Sequence, residues 1–385
     1  MALEQDMFRI KNHDSLVSMV QCSSYDQNLV DKAIEQSFQN IGGLKQFIPD
    51  GAHVHIKPNL LTAKLPEKGA TTHPSIIKSI VMEAQELGGN VTIGDSPAGI
   101  SRPIEDYWNA TGMAEVAKKT GAKLVQFEKK GVVKRSVNGA TYFIAKTVVS
   151  ADVVINVCKL KTHNLTLFTG AIKNMFGTIP GFKKSEYHKQ APKVEEFSKI
   201  IVDIFSLVKP QLNVMDAIEV MEGNGPSAGR PQYLGLILTS EDAVAIDSIA
   251  AQLIGFEDDE ILTTKEAYHR GLGEKNIKDI IIRGSSLEYY KNSKFILPSN
   301  RFQRYVPASL VQLLGKLVWV RPKPDEKRCH RCEACIVNCP TRAMNSNDGF
   351  PVIDFNKCIC CFCCDEVCPH DAIDQQMSWL ARKFR

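Results

Sequence analysis

The stretch Cys329-His-Arg-Cys332-Glu-Ala-Cys335-Ile-Val-Asn-Cys339-Pro340 spaces four cysteines as C-x2-C-x2-C-x3-C and closes on a proline. The same spacing returns 29 residues on, at Cys358, Cys361, Cys364, Cys368 and Pro369, and Ala343 and Ala372 match across the two runs. Tight C-x2-C turns let three thiolates converge on one iron–sulfur cube. The proline after the fourth cysteine cannot continue a helix and turns the chain toward the other half. With each fourth cysteine given to the opposite site, one [4Fe-4S] cluster takes Cys329, Cys332, Cys335 and Cys368, and a second takes Cys358, Cys361, Cys364 and Cys339. Paired C-x2-C units also build zinc sites, but zinc would leave the third cysteine of each run without a purpose. No C-x-x-C-H occurs, so c-type haem is not indicated. Cys360 and Cys363 fall off the ligand spacing and read as small packing residues that can tune a cluster.

Ten of the twelve cysteines lie between Cys329 and Cys368, while Cys22 and Cys158 stand alone. A secreted disulfide framework would spread its pairs over the fold, so this density points to a reducing, cytoplasmic setting. From Cys329 to Asp374, seven Asp and Glu oppose three Lys and Arg, a balance of −4; within the formal total of +4 the rest of the chain carries +8. An acidic module docking on a basic body, with salt weakening the contact, is the expectation. So small a total gives no ground for a nucleic-acid partner, which needs basic residues massed on one face. Neither a leader pattern nor a run of roughly 18 apolar residues is present, and no membrane span is expected.

Upstream of the cysteines, β-branched runs alternate with helix-period segments. Strands are expected at His53 to Ile56, Val91 to Ile93, Leu124 to Phe127, Asp152 to Val157, Leu212 to Met215, Leu234 to Leu238 and Ile280 to Ile282. Ile76, Ile77, Ile80, Val81, Ala84 and Leu87 mark one buried helix face, as do Phe197, Ile200, Ile201, Ile204, Phe205 and Val208. Pro74 suits a first helical turn, with Gly88 and Gly89 past the end. This alternation predicts an α/β fold with a mainly parallel, helix-covered sheet and a small C-terminal α+β module. Asn138-Gly139 predicts one hairpin. Leu310, Val311, Leu313, Leu314, Leu317 and Val318 form an amphipathic stripe that reads as packing on the large domain; lying on a membrane surface is the minority reading, although the ending Trp379, Leu380, Arg382, Lys383, Phe384 and Arg385 also mixes apolar and basic residues. Two prolines between Arg321 and Arg328 suggest a linker.

Neither a dinucleotide fingerprint nor a P-loop occurs. Gly225-Pro-Ser227-Ala-Gly229 fits G-x-S-x-G, but its prolines and its distance from the preceding strand speak for an open loop over a nucleophile elbow. Polar residues instead gather after the expected strands, where open parallel sheets bind ligands. Lys57, Pro58 and Asn59 follow the first strand, and Thr71, Thr72 and His73 precede a helix that the threonines can cap. Asp95, beside Gly94 and Ser96, is a turn residue or a ligand. Lys159, Lys161, Thr162, His163 and Asn164, followed by Lys173 and Asn174, place several cations together and suit a phosphate or carboxylate better than a solvated face does. His188 can approach the same place. Asp216 leads to Glu222, Gly223 and Gly225, a loop whose glycines allow close backbone approach. Asp242 reads as a helix cap.

As a set, Lys57-Pro-Asn59, Thr72-His-Pro74, Gly94-Asp-Ser-Pro97, Lys159-Leu-Lys-Thr-His163, Gly170-Ala-Ile-Lys-Asn-Met-Phe-Gly177, the segment from Asp216 to Pro226 and Glu241 to Asp247 resemble the family called domain of unknown function 362, over about residues 50–255. The resemblance implies an α/β unit, often fused to a ferredoxin-like module, and supplies no substrate. The C-terminal runs are similar to a bacterial two-cluster ferredoxin at all eight ligand positions. The expected organisation is a large α/β domain over 1–300, an amphipathic helix and linker over 301–328, a ferredoxin-like module over 329–374 and a basic tail over 375–385.

The function expected is electron transfer through two [4Fe-4S] clusters, as an oxidoreductase that passes electrons from a soluble donor to a small anionic substrate or cofactor. Lys159, Lys161 and Lys173 would hold the anion, and His73, His163 or His188 would exchange protons, since imidazole titrates near neutrality. A non-catalytic carrier docking a partner enzyme, and an iron–sulfur sensor, need the same eight cysteines. A flavin or other organic cofactor is neither indicated nor excluded by the residues.

Overall fold

The computed structural model describes residues 15–99, 102–290, 294–301, 317 and 319–383. Its strands, in chain order, are β1 (Ser15–Gln21), β2 (His53–Lys57), β3 (Asn90–Ile93), β4 (Lys123–Leu124), the hairpin β5 (Val132–Val137) and β6 (Ala140–Ala145), then β7 (Val153–His163), β8 (Leu167–Thr169), β9 (Leu212–Glu222), β10 (Arg230–Ser240) and β11 (Ile280–Gly284). The main sheet runs β11-β1-β10-β9-β7-β2-β3-β4, with β8 paired to β7. Neighbours are parallel except that β10 is antiparallel to β1 and β9, and β8 to β7. The mainly parallel, helix-covered sheet is therefore present.

Alternation along β7 explains the layering. Ile155 and Val157 face one cluster, which includes Ile34 and Phe38 of helix Gln27–Asn40 and Ile76, Ile77 and Ile80 of helix Pro74–Glu86. Val154, Cys158 and Leu160 face the other, with Phe197, Ile201 and Phe205 of helix Val194–Leu207 and Ile246 and Ile249 of helix Ala243–Leu253. Both faces of the central strands are covered, as a parallel sheet requires. Each fully buried Ile or Phe contributes about 1.5–3 kcal/mol.

Several expectations shift. β7 and β9 run six or seven residues past their expected ends, so Lys159, Lys161, His163, Asp216 and Glu222 lie on strands instead of in loops. Parallel pairing of the two continues through Lys159 and Asp216 and on to Lys161 and Met221, with a register shift between. β4 stops at Leu124, and Phe127 opens a short helix. The helix at Pro74 is capped by His73, whose Nδ1 accepts from Ser75 N at 3.2 Å. Thr72 Oγ1 does other work: it accepts from Asn59 N and donates to the carbonyl of Val157, tying β2 to β7. Asp242 does cap its helix.

The cysteine region is bounded by β12 (Val320–Pro324), β13 (Met344–Asn347), β14 (Phe350–Ile353) and β15 (Ile373–Met377), with β12 antiparallel to β15 and β13 to β14. The stretch expected as a linker thus opens as a strand of this module. The basic tail is not free either, since it supplies β15's end and a helix at Trp379–Lys383. Most of the amphipathic stripe, including Leu310, Val311, Leu313, Leu314 and Val318, lies outside the described residues. Among the described residues no helix is long and apolar enough to cross a membrane.

Candidate functional site

The overrunning ends of β7 and β9 build two separate polar groups. In the first, Lys159 Nζ lies 3.0 Å from Asp216 Oδ2, and both side chains are buried. Tyr25 closes this pair, accepting from Lys159 Nζ at 2.7 Å and donating to Asp216 Oδ1 at 2.8 Å. His73 stacks on the Tyr25 ring at 3.8 Å and donates its backbone N–H to Asp216. Burial holds the His73 imidazole down at about 4, so it is neutral near pH 7. Tyr25 precedes the first described helix, far from every motif, and no sequence signal marked it.

The second group lines a cavity between the sheet's carboxyl-terminal edge and the cysteine module. Lys161, Lys173, Asn174, Lys184 and His188 stand on one side, and Asn338, Cys363, Glu366 and Val367 on the other. Lys159, Asp216, His73, Thr72, Glu222 and Gly223 are not among its lining residues. Glu222 instead pairs with Arg230 and accepts from Ile296 N, while Gly223 N donates to Ile296 O. Gly225 accepts from Asn164 N, holding the loop so that Pro226 reaches the cavity.

Behind the cavity runs a chain of amides, of which Asn59 and Asn174 reach its lining. Lys161 Nζ donates to Asn59 Oδ1 (2.8 Å) and Ala70 O (2.7 Å); Asn59 donates to Asn174, Asn174 to Asn156, and Asn156 to Asn213. Asp95 pairs with Lys57 at 2.7 Å and accepts from Leu60 N, so it is an internal anchor as well as a wall. Lys184, which the sequence did not single out, donates to the carbonyls of Ser96 and Pro97. Burial lowers Lys161 strongly, lowers Lys173, and brings Lys184 to about 8.

His163 Nδ1 accepts from the backbone of Leu165 (2.9 Å) and Thr166 (3.3 Å), which leaves the proton on Nε2. That atom lies 3.0 Å from Glu366 Oε1 without the alignment of a full hydrogen bond. His163 is thus a strut between body and module. His188 lines the cavity, stacks on Phe197 at 4.1 Å, and among the described residues keeps Nδ1 without a hydrogen-bond partner. Ser227 is buried against Lys64 Nζ, which accounts for it without a nucleophilic role.

The two cysteine runs are built alike. Arg331 N meets Cys329 Sγ and Cys360 N meets Cys358 Sγ, each at 3.4 Å; Ala343 N meets Cys339 Sγ at 3.2 Å and Ala372 N meets Cys368 Sγ at 3.3 Å. Backbone donors aimed at sulfur stabilise thiolates, which suits metal-ligating cysteines. Cys329, Cys332, Cys335 and Cys368 together line a small cavity that Cys339 does not touch. This is the donor set that the crossed assignment gives to one cluster. Cys335 and Cys368 are buried in one small cluster, and Cys329, Cys339 and Cys364 pack against it. Among the described residues no group of three or more His, Cys, Asp or Glu is placed to hold a single metal ion.

Residues 54–252 match the family described as Domain of unknown function (DUF362). The chain belongs to that family. Of its relatives, the thylakoid-associated protein sll1697 of Synechocystis sp. (strain ATCC 27184 / PCC 6803 / Kazusa) is 30% identical over 258 residues, 66% of this DUF362 chain and 79% of the relative. A 54-residue segment is 37% identical to the pyruvate synthase subunit PorD of Methanocaldococcus jannaschii, over 14% of this chain and 63% of that protein. The lactate racemase apoprotein of Thermoanaerobacterium thermosaccharolyticum superposes with a TM-score of 0.38 at 14% identity, over 59% of this chain and 54% of the other.

Proposed function

We propose that this DUF362 protein is a cytoplasmic iron–sulfur electron-transfer protein, an oxidoreductase acting on a small anionic substrate or cofactor in the cavity between sheet edge and module. The observation that carries the reading is one shared wall: Cys363 and Glu366, inside the second cysteine run, line the same cavity as Lys161 and Lys173. When bound, two [4Fe-4S] clusters would supply one-electron chemistry at potentials set by charge, hydrogen bonding and exposure. The chain's own residues do the rest. Lys161 and Lys173 hold the anion, the asparagine chain fixes Lys161, and His188, which burial lowers to about 4 and so keeps neutral near pH 7, accepts a proton at Nδ1. His163 positions the module through Glu366. The likeness of a short segment to a pyruvate synthase subunit favours a second reading, in which the clusters relay electrons to a partner enzyme.

The first test is anaerobic purification with iron and sulfide analysis and EPR after dithionite reduction. About eight iron and eight sulfide per chain support the reading; zinc without sulfide overturns it. Turnover of an added anion by the isolated protein selects the oxidoreductase, whereas capture of a partner enzyme without turnover selects the relay.

A further inference from the structure

Buried lysines around the sheet edge divide into two kinds. Lys57, Lys159 and Lys64 pair with Asp95, Asp216 and Asp371. Lys161 and Lys184 are held by neutral oxygens instead, and half-buried Lys173 has no hydrogen bond or ion pair among the described residues. All three of this second kind line the cavity. Against their three charges stands Glu366, since the other lining carboxylate, Asp95, is taken by Lys57. Fully protonated, the three amines would exceed that carboxylate by two charges. Burial lowers all three ammonium groups, and an anion in the cavity would both restore their charge and pair it.

A second observation is independent of charge. Thr169 Oγ1 and His188 Nδ1 belong to side chains only 2% and 4% exposed, both line the cavity, and neither atom has a hydrogen-bond partner among the described residues. Buried polar atoms are normally satisfied, and these are placed to meet a ligand. Leu61, Phe176 and Val367 add apolar wall, which a bare inorganic ion would leave uncovered. Thiolate-bound clusters carry negative charge of their own, a rival use for the lysines. However, none of the eight regularly spaced cysteines lines the cavity; Cys363, which does, is off that spacing.

We infer that the cavity binds a small organic dianion, a dicarboxylate or a phosphate monoester, whose charge Lys161, Lys173 and Lys184 balance and whose polar groups meet Thr169 and His188. This deepens the functional reading above and takes from it only the location of the site.

The experiment is calorimetric titration of the anaerobically purified full chain with succinate, glycerol 3-phosphate and butyrate, the last a monoanion. Succinate or glycerol 3-phosphate is expected to bind at least tenfold more tightly than butyrate, and whichever binds assigns the carboxylate or phosphate form. K173M is expected to weaken that binding by tenfold or more, and T169V by about threefold to tenfold, with iron content unchanged and no fall in melting temperature. Failure of both dianions to outbind butyrate overturns the inference. So does K173M that keeps the affinity and shifts only a cluster's reduction potential. A protein that binds the dianion but holds no iron and sulfide would defeat the electron-transfer reading while leaving this one standing.

Discussion

Asn164 Nδ2 donates to Asp365 Oδ2 at 2.8 Å, joining the residue just after β7 to the short helix Cys363–Glu366 of the cysteine module, 201 positions away. The preceding residue does the same, with His163 beside Glu366. Two consecutive residues of the body thus meet two consecutive residues of the module. N164A would leave the buried Asp365 carboxyl without this donor, a loss of about 1–3 kcal/mol. The melting temperature is expected to fall by about 1–4 °C. A change of less than a degree would show that the contact does not hold the module. Because these groups are buried, salt screens them less than the charge asymmetry of the sequence suggests.

The crossed ligand sets make a specific prediction about paired substitutions. C329S/C368S removes two ligands from one set and leaves Cys358, Cys361, Cys364 and Cys339 intact. About four iron and one undisturbed four-iron EPR signal are expected. C329S/C339S takes one ligand from each set, and no undisturbed signal should remain. Had each run served its own cluster, the two variants would exchange outcomes.

How the sequence revealed this fold, and where it did not, follows from what buries each residue. Isoleucine and phenylalanine at helical spacing announced the two covering helices because their burial depends on composition alone. β1 went unseen: Ser18 interrupts its apolar run yet is fully buried, bonded to Ser37 and Asn40. The ends of β7 and β9 were hidden likewise, since lysines and acids on a central strand read as loop until Asp216, Tyr25 and Asn59 are known to satisfy them. The strand at Val320–Pro324 did leave a signal. Asp325 and Asp354 each stand four residues before a run's first cysteine, and each accepts that cysteine's N–H at 3.0 Å. The repeat therefore starts before Cys329, and β12 is the counterpart of β14.

The asparagine chain had no local pattern, because its members come from four segments, and it yields a stability prediction. Asn156 is fully buried, donates to Ala171 O and Asn213 Oδ1, and accepts from Asn174. N156L keeps the size and orphans three groups, at about 1–3 kcal/mol each. Urea unfolding should show a loss of at least about 3 kcal/mol. Adding N213L to N156L should cost less than the sum of the two single changes, a coupling of about 0.5–3 kcal/mol. Strict additivity would mean that the chain does not act as a unit.

Lys184 gives the pH dependence. Burial depresses its ammonium to about 8 from the usual 10.5, opposed by Asp95, Glu128 and Glu366 and reinforced by Lys57. Between these two values the unfolded chain binds more protons than the folded one, so the protein gains stability as pH rises through the window. Below pH 8 the charged form is buried in both neutral and acidic buffers, and this contribution is flat. K184M lacks the titration. The melting temperature of the unsubstituted protein minus that of K184M should therefore rise from pH 8 toward pH 10, by an amount corresponding to at most about 3 kcal/mol. The sign does not depend on whether the lost bonds to Ser96 and Pro97 make K184M less stable at neutral pH, because that loss is common to every pH compared. A difference that stays constant from pH 7 to 10 would mean that Lys184 keeps an ordinary ammonium in the folded protein, as it would beside a permanently bound anion.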